Sequence, residues 1–324
     1  MPKAILVSLV IPVRNEATTI SDLLTSIHSQ TLPTSEILLV DGGSLDNTVE
    51  ILRSAAQGNS SVHLLEAPDA TPGRGRNIGI EAASNDWIAL TDAGICLEPT
   101  WLERLVAEVE RDPSVNLVFG AYEARAETFF QQCAAAAYVA PKQHRPGGLM
   151  RGPSIASCLL HRSLWRAVGG FPDLRAAEDL IFMEQCQRVG RIAWAPQALV
   201  RWQLQPTLDA TFRRFALYSY HNVLAGRQRY WHYGVARKYL VALVIVILAA
   251  AHSRVWLFAL FIAVFARAAK SIWNYDEPRR LAWLFNPARL LLVGTILAVI
   301  DLATFVGWGR AICHQRRAKR ALRQ

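Results

Sequence analysis

Apolar residues recur along the first 190 positions with two alternating periods. Leu6 to Val13 is a β-rich run that breaks at Pro12. Thr18 or Thr19 then stands ready to cap a helix whose apolar positions, Ile20, Leu23, Leu24 and Ile27, follow helical spacing. Glu36 to Val40 is a short continuous apolar run, as a strand buried on both faces requires, and it stops at Asp41-Gly42-Gly43-Ser44. The pattern predicts a helix over 48–56, a strand over 62–65, a helix over 77–83 and a strand over 87–90 that stops at Thr91-Asp92-Ala93-Gly94. An amphipathic helix over 99–110 and a strand over 115–119 follow. Strand and helix alternating at this spacing predict an α/β fold with a doubly wound, mostly parallel sheet. Such sheets bind ligands beyond the carboxyl ends of their strands, which is where Asp41 and Asp92 fall.

The pattern changes near position 195. Residues 207–238 mix Arg with aromatics, among them Phe212, Arg213, Arg214, Tyr218, Tyr230 and Trp231. Three apolar stretches follow, over 239–251, 255–266 and 290–308. The first two hold 13 and 12 residues. Those lengths are short for the roughly 30 Å of a bilayer core at about 1.5 Å per residue. The two therefore form either a hairpin broken at His252-Ser253-Arg254 and extended by flanking residues, or one long tilted helix. The third holds 19 residues and contains Asp301.

Charge follows the same division. Residues 201–324 carry 19 of the 35 Lys and Arg but only 4 of the 26 Asp and Glu, so a mildly acidic front precedes a basic, apolar rear. Basic plus apolar fits a membrane surface better than nucleic acid when long apolar runs share the segment. A basic tail belongs on the cytoplasmic side of an inner membrane, as does the acidic front, and that parity requires an even number of spans. Either the first two stretches are one span, or one of the three lies in the interface. The five Cys are scattered without a C-x-x-C pair, which argues against a zinc site or a disulfide framework. Met1 to Val13 lacks a small-residue cleavage site before Arg14-Asn15-Glu16, so it reads as a first strand and not as a signal peptide.

Several constellations carry candidate chemistry. A carboxylate at a buried strand end needs a partner, though Asp is also a good turn residue, so Asp41 and Asp92 admit both readings. Pro72-Gly73-Arg74-Gly75-Arg76-Asn77-Ile78-Gly79 is a basic, Gly-rich stretch suited to phosphate at a helix start. It superficially resembles a dinucleotide fingerprint, but it does not follow the first strand of a βα unit. Glu178-Asp179 opens a helix over 180–189; the pair either complements the helix dipole or supplies a general base. Arg213-Arg214 is either a membrane-surface stripe or part of a site.

Taken in order, I-P-V-R-N-E at 11–16, L-V-D-G-G-S-x-D-N-T at 39–48, R-N-x-G at 76–79, T-D-A-G at 91–94, G-G-F at 169–171 and E-D at 178–179 make a set. With that set the chain resembles family 2 glycosyltransferases of the GT-A, nucleotide-diphospho-sugar fold, over about residues 5–205. The apolar rear is similar to members that build exopolysaccharides or glycosylate lipid carriers. The resemblance implies a GT-A catalytic domain over 1–205, a basic, aromatic membrane-proximal segment over 206–238, membrane helices over 239–308 and a basic cytoplasmic tail over 309–324. It implies an inverting hexosyl transfer from a nucleotide-diphosphate sugar, UDP-linked, to a lipid-linked or glycan acceptor. Pro12, Arg14, Glu16, Asp41 and Gly43 would line the nucleoside pocket and Arg76 would face the diphosphate. Asp92 matches the first position of the D-x-D motif and would hold Mg²⁺ or Mn²⁺. Asp179, beside Glu178, matches the catalytic base. Arg213 or Arg214 would lie near the leaving group or acceptor, although Q-x-x-R-W is absent. The second Asp of D-x-D is Gly94, so either Asp92 and the diphosphate suffice for the cation, or Arg74 or Arg76 neutralises the phosphates. Two rivals follow from the same residues: a non-catalytic sugar-nucleotide-binding scaffold, favoured by Gly94, and a dinucleotide-dependent oxidoreductase, favoured by the Gly-rich stretch.

Overall fold

The computed structural model describes residues 5–275 and 280–321. Arg323 of the basic tail, and the start of the 1–205 segment before Ile5, lie outside the described residues. The chain forms two compact units, one of residues 1–125 and 142–203, the other of 126–141 and 204–324.

The first unit begins as the apolar pattern predicts. Strand β1 (Val7–Val13) leads through α1 (Ile20–His28) to β2 (Glu36–Asp41), whose six residues are all buried. Next come α2 (Thr48–Gly58), β3 (Val62–Glu66), α3 (Pro72–Ala82) and β4 (Trp87–Leu90). These strands pair in parallel, in the order β3-β2-β1-β4. Beyond β4 the sheet changes character. Strands β5 (Ile95–Leu97) and β6 (Leu117–Arg125) flank α4 (Trp101–Arg111). After α5 (Phe129–Tyr138), a small hairpin of β7 (Gln143–Arg145) and β8 (Gly148–Met150) precedes β9 (Cys158–His161), α6 (Arg162–Val168), α7 (Glu178–Val189) and β10 (Ile192–Gln203). Strand β9 is inserted antiparallel between β4 and β6, β10 runs parallel to β6, and β5 closes the edge antiparallel to β10. The sheet is thus mixed on one side. Two apolar layers cover its faces, one with α1 and α4, centred on Leu9, Ile11, Trp101 and Leu105, the other with α3, α6 and α7, centred on Val10, Ile80, Phe119 and Phe182.

Two local expectations are corrected. Thr19 precedes α1 but makes no side-chain cap; its hydroxyl donates instead to Glu16 Oε2 at 2.6 Å. The helix expected over 77–83 begins earlier, at Pro72, so the Gly-Arg stretch lies inside α3. Proline suits the first helical position, and the Thr71 hydroxyl accepts from the Arg74 N–H. The glycines are set by proximity. A methyl group at Gly79 would stand 2.4 Å from Val10 Cγ1, and one at Gly75 would stand 3.3 Å from Pro12 Cβ. Helix α3 therefore lies directly on β1 and β2.

The second unit is helical. It comprises α5, α8 (Leu208–Leu224), α9 (His232–Ala251), α10 (Trp256–Asn274), α11 (Arg280–Leu284) and α12 (Pro287–Ala321). Three helices, His232–Ala251, Trp256–Asn274 and Pro287–Arg320, are long and apolar enough to cross a membrane. The first two stretches are separate helices, each lengthened by flanking residues and divided by the turn at 252–255, and not one long tilted helix.

Candidate functional site

The carboxyl ends of β1, β2 and β4 carry three loops, and hydrogen bonds lock two of them together. The Asn15 and Glu16 N–H groups donate to Ser44 Oγ and Thr48 Oγ1, each at 2.8 Å, while Asn15 Oδ1 accepts from the Leu45 N–H at 2.8 Å. Asn15 adopts a left-handed backbone at φ 55°, a conformation Asn tolerates better than most residues. Asp41 is 3% exposed and spends both oxygens on its own loop: Oδ2 accepts from the Gly43 and Ser44 N–H groups and Oδ1 from the Ser44 hydroxyl. Gly43 makes the turn this requires, at φ 83°. Asp41 thereby shapes the loop beside Pro12 and Arg14 instead of presenting a free carboxylate.

Arg76 is the centre of the arrangement. Its guanidinium is buried and donates to Asp92 Oδ1 at 2.5 Å and to Glu178 Oε1 at 2.9 Å, with the Phe171 ring 5.4 Å away. Its side chain thus turns inward, toward carboxylates from β4 and α7. Burial opposes its charge, but Asp92, Glu178 and Asp179 outweigh that and push its pKa up. The neighbouring Asn77 does the matching work on the backbone. Its amide donates to the Phe171 carbonyl, and its oxygen accepts from the Phe171 N–H and the Trp165 indole, at 2.8 to 3.0 Å. The R-N pair on α3 therefore holds both halves of the segment running from Gly169-Gly170-Phe171 to Glu178-Asp179.

That segment ends in a strained turn. Ala177 sits at φ 69° immediately before α7, a costly backbone for a residue with a Cβ. The turn delivers Glu178 and Asp179 to the first turn of α7. Glu178 is 5% exposed, and its Oε2 has no partner. Burial pushes its carboxyl up, with Asp179 adding and Arg76 opposing. Asp179 is half-buried and uses only Oδ1, on the Leu180 N–H at 2.8 Å. Burial pushes it up as well, with Arg76 opposing and Asp92 adding. Of the two, Asp179 has the geometry of a base that a second molecule can reach.

Asp92 keeps an oxygen that no guanidinium occupies, and its side chain is 37% exposed. Two positions on, Gly94 adopts φ 79°, and a Cβ there would lie 3.3 Å from Glu16 Oε2. The Glu16 carboxylate thus fills the space over position 94 where the usual second Asp would project. Among the described residues no group of three or more His, Cys, Asp or Glu could hold a metal unaided. A cation here would need Asp92, at most one further carboxylate, and oxygens from a ligand or water; a hard divalent ion accepts that donor set.

Arg175 belongs to none of the sequence motifs, yet it stands near Arg14. Burial and the nearby charge of Arg14 both lower its pKa, and neither arginine has an ion pair among the described residues. Its signal was only position, three residues before Glu178. Arg213 and Arg214 belong to α8 in the other unit, where Arg213 pairs with exposed Asp209 and Arg214 lies 5.2 Å from the Tyr218 ring.

A family-wide sequence profile, Glycosyl transferase family 2, matches residues 8–165. Glycosyltransferase AglE of Haloferax volcanii is 40% identical over 121 residues, covering 36% of this chain and 39% of that protein. Glycosyltransferase GlyG of Streptococcus pneumoniae is 28% identical over 118 residues, covering 36% and 39%. Over the first four curated relatives, the matched stretch spans between 30% and 65% of their own length. Mannosyltransferase PcManGT of Pyrobaculum calidifontis, solved with GDP-Man and Mn²⁺, superposes with TM-score 0.59 at 20% identity over 90% of this chain and 86% of that one. TarS of S. aureus, residues 1–349 with UDP-GlcNAc, gives 0.50 at 14% identity over 94% and 91%. The fold is the GT-A fold expected from the motifs.

Proposed function

We propose that this chain, whose residues 8–165 match the Glycosyl transferase family 2 profile, is an inverting glycosyltransferase, moving a hexosyl group from a nucleotide-diphosphate sugar to a lipid-linked or glycan acceptor at a membrane. The observation that carries this is the cluster at Arg76. One buried guanidinium bonds Asp92, just past β4, and Glu178, the first residue of the E-D pair of α7, and Asp179 follows directly in the chain.

In this reading the donor is UDP-linked, and its nucleoside lies over the locked loops of Pro12, Arg14, Glu16 and Asp41–Gly43. Arg14 and Arg175, cations without carboxylate partners, neutralise the diphosphate, while Arg76 positions Asp92 and Glu178. The residues present fit Mg²⁺ or Mn²⁺: Asp92 would hold it, with Glu16 supplying the carboxylate that Gly94 lacks. When bound, the cation would supply charge to the departing diphosphate. Asp179 accepts the proton of the acceptor hydroxyl. The acceptor oxygen bonds to the anomeric carbon as the bond from that carbon to the phosphate oxygen breaks, and the nucleoside diphosphate leaves from the opposite face. Positioning and charge stabilisation then provide most of the acceleration. The apolar helices hold the site at the cytoplasmic face of the membrane.

The non-catalytic scaffold reading predicts binding without turnover. A thermal-shift screen of nucleotide sugars, with Mn²⁺ or with EDTA, tests the proposal, because a ligand that prefers the folded state raises its melting temperature. A shift with at least one nucleotide sugar, matched by release of its nucleoside diphosphate, is expected. No shift with any of them removes the proposal, and a shift without turnover favours the scaffold.

A further inference from the structure

Three helices of the second unit have the length and hydropathy of membrane spans, but their surroundings differ. Only 6% and 11% of the most apolar residues of α9 and α10 are buried, against 44% for α12. Helices α9 and α10 expose Leu240, Val244, Ile247, Phe258, Phe261 and Ile262 around their circumference. Helix α12 instead forms the core of its unit. Near its start, Arg289 donates to Gln132 of α5 at 3.0 Å and stacks 3.8 Å from the Trp283 ring. Farther along, the Thr304 carbonyl accepts from Ser219 of α8 at 2.7 Å, a methyl at Gly307 would stand 2.3 Å from the Ala216 carbonyl oxygen, and His314 bonds Tyr220 at 2.6 Å.

These companions limit where α12 can lie. Asp209, Arg213 and Arg214 of α8 face solvent and come within two turns before Ala216. A membrane-crossing α12 would draw those charges toward hydrocarbon, where a charged side chain is costly. The stretch between Arg289 and Thr304 is 14 residues. At about 1.5 Å per residue this is about 21 Å, short of the roughly 30 Å core. It also contains Asp301, 1% exposed and gripped through both oxygens by Arg267 of α10.

We propose that α12 does not cross the membrane: it lies along the near surface as a platform, and the α9–α10 hairpin is the only part of the described chain that inserts. Asp301 marks where the hairpin leaves the platform, since Arg267 of α10 bonds both its oxygens and the Tyr239 ring of α9 packs edge-on against Phe305, one turn farther along α12, with 5.2 Å between ring centres. Exposed Arg237 and Lys238 of α9 and Lys270 of α10 lie toward the same end of the hairpin, a basic set suited to the phosphates of an anionic leaflet. The parity required by the charge pattern follows directly. The hairpin enters and returns, so the first unit and the end of α12 share one side of the membrane.

This rests on the membrane part of the proposed function, and one experiment separates the two. Cys313, exposed on α12, is a native reporter for the end of that helix. Ser60→Cys, on an exposed turn of the first unit, reports the other. The full-length protein in sealed vesicles of each orientation is treated with a membrane-impermeant maleimide, and labelled peptides are identified. Both thiols should react in the same vesicle population and both should be protected in the other. Labelling in opposite populations means that α12 crosses, and overturns the proposal. Protein that fails to sediment with the vesicles removes the membrane reading itself, and this proposal with it.

Discussion

At the scale of single residues, Arg76 decides the most. It is enclosed with two carboxylates that have little other stabilisation, so Arg76→Met should leave buried charge uncompensated. A loss of about 3–5 kcal/mol is expected, read as a fall in melting temperature of the full-length protein in detergent. Asp179 carries a pH signature. Burial raises its pKa, so protonation silences it at a higher pH than it would an ordinary aspartate. The acid limb of kcat/KM should therefore lie above the ordinary carboxylate range, and activity should be lost as pH falls through that displaced value. Gly94 offers a test by exchange. Asp is one of the few side chains that visit a left-handed backbone, but at position 94 it would crowd Glu16 Oε2 at 3.3 Å. Gly94→Asp alone should weaken Mn²⁺ binding in the presence of nucleotide about tenfold or more, and Glu16→Ala alone should do the same. The double variant should recover most of it, as calorimetric titration would show. These contacts were only partly legible in the sequence. The motif R-N-x-G marked Arg76 as important but suggested that it faces phosphate, because nothing in the chain order tells which way a guanidinium turns. Arg175 carried no motif at all.

At the scale of elements, the parallel half of the sheet was legible because buried strands are continuous apolar runs and the helices between them keep their spacing. Residues 36–40 and 87–90 were assigned as strands on that basis, and β2 and β4 stand there. The antiparallel insertion of β9 was not legible, since pairing direction depends on partners distant in sequence. Nor was the early start of α3, because Gly-Arg-Gly-Arg has poor helix propensity and tertiary contact overrides it. Gly73, Gly75 and Gly79 let that helix lie against its neighbours. Gly79→Ala should force Val10 or the helix to move and cost about 1–3 kcal/mol despite the better helix former. Chemical denaturation monitored by tryptophan fluorescence would show it, and an unchanged midpoint would mean that the helix does not sit so closely on β1.

At the scale of the whole molecule, the division between an acidic front and a basic, apolar rear was visible in composition. The sequence did not reveal that residues 126–141 leave the first unit to join the second. Its Ala-rich stretch, buried from Cys133 to Ala136, has no chemistry to announce its partner. The central claim is that this chain transfers a sugar from a nucleotide donor and that Asp179 takes the acceptor's proton. The most direct test compares wild type with Asp179→Asn, using a radiolabelled nucleotide sugar identified by the binding screen and membranes supplying the acceptor. Wild type should place label in the lipid or glycan fraction, and Asp179→Asn should lose at least about 100-fold of it while nucleotide-sugar binding stays within about twofold. Turnover by Asp179→Asn close to wild type would contradict that claim.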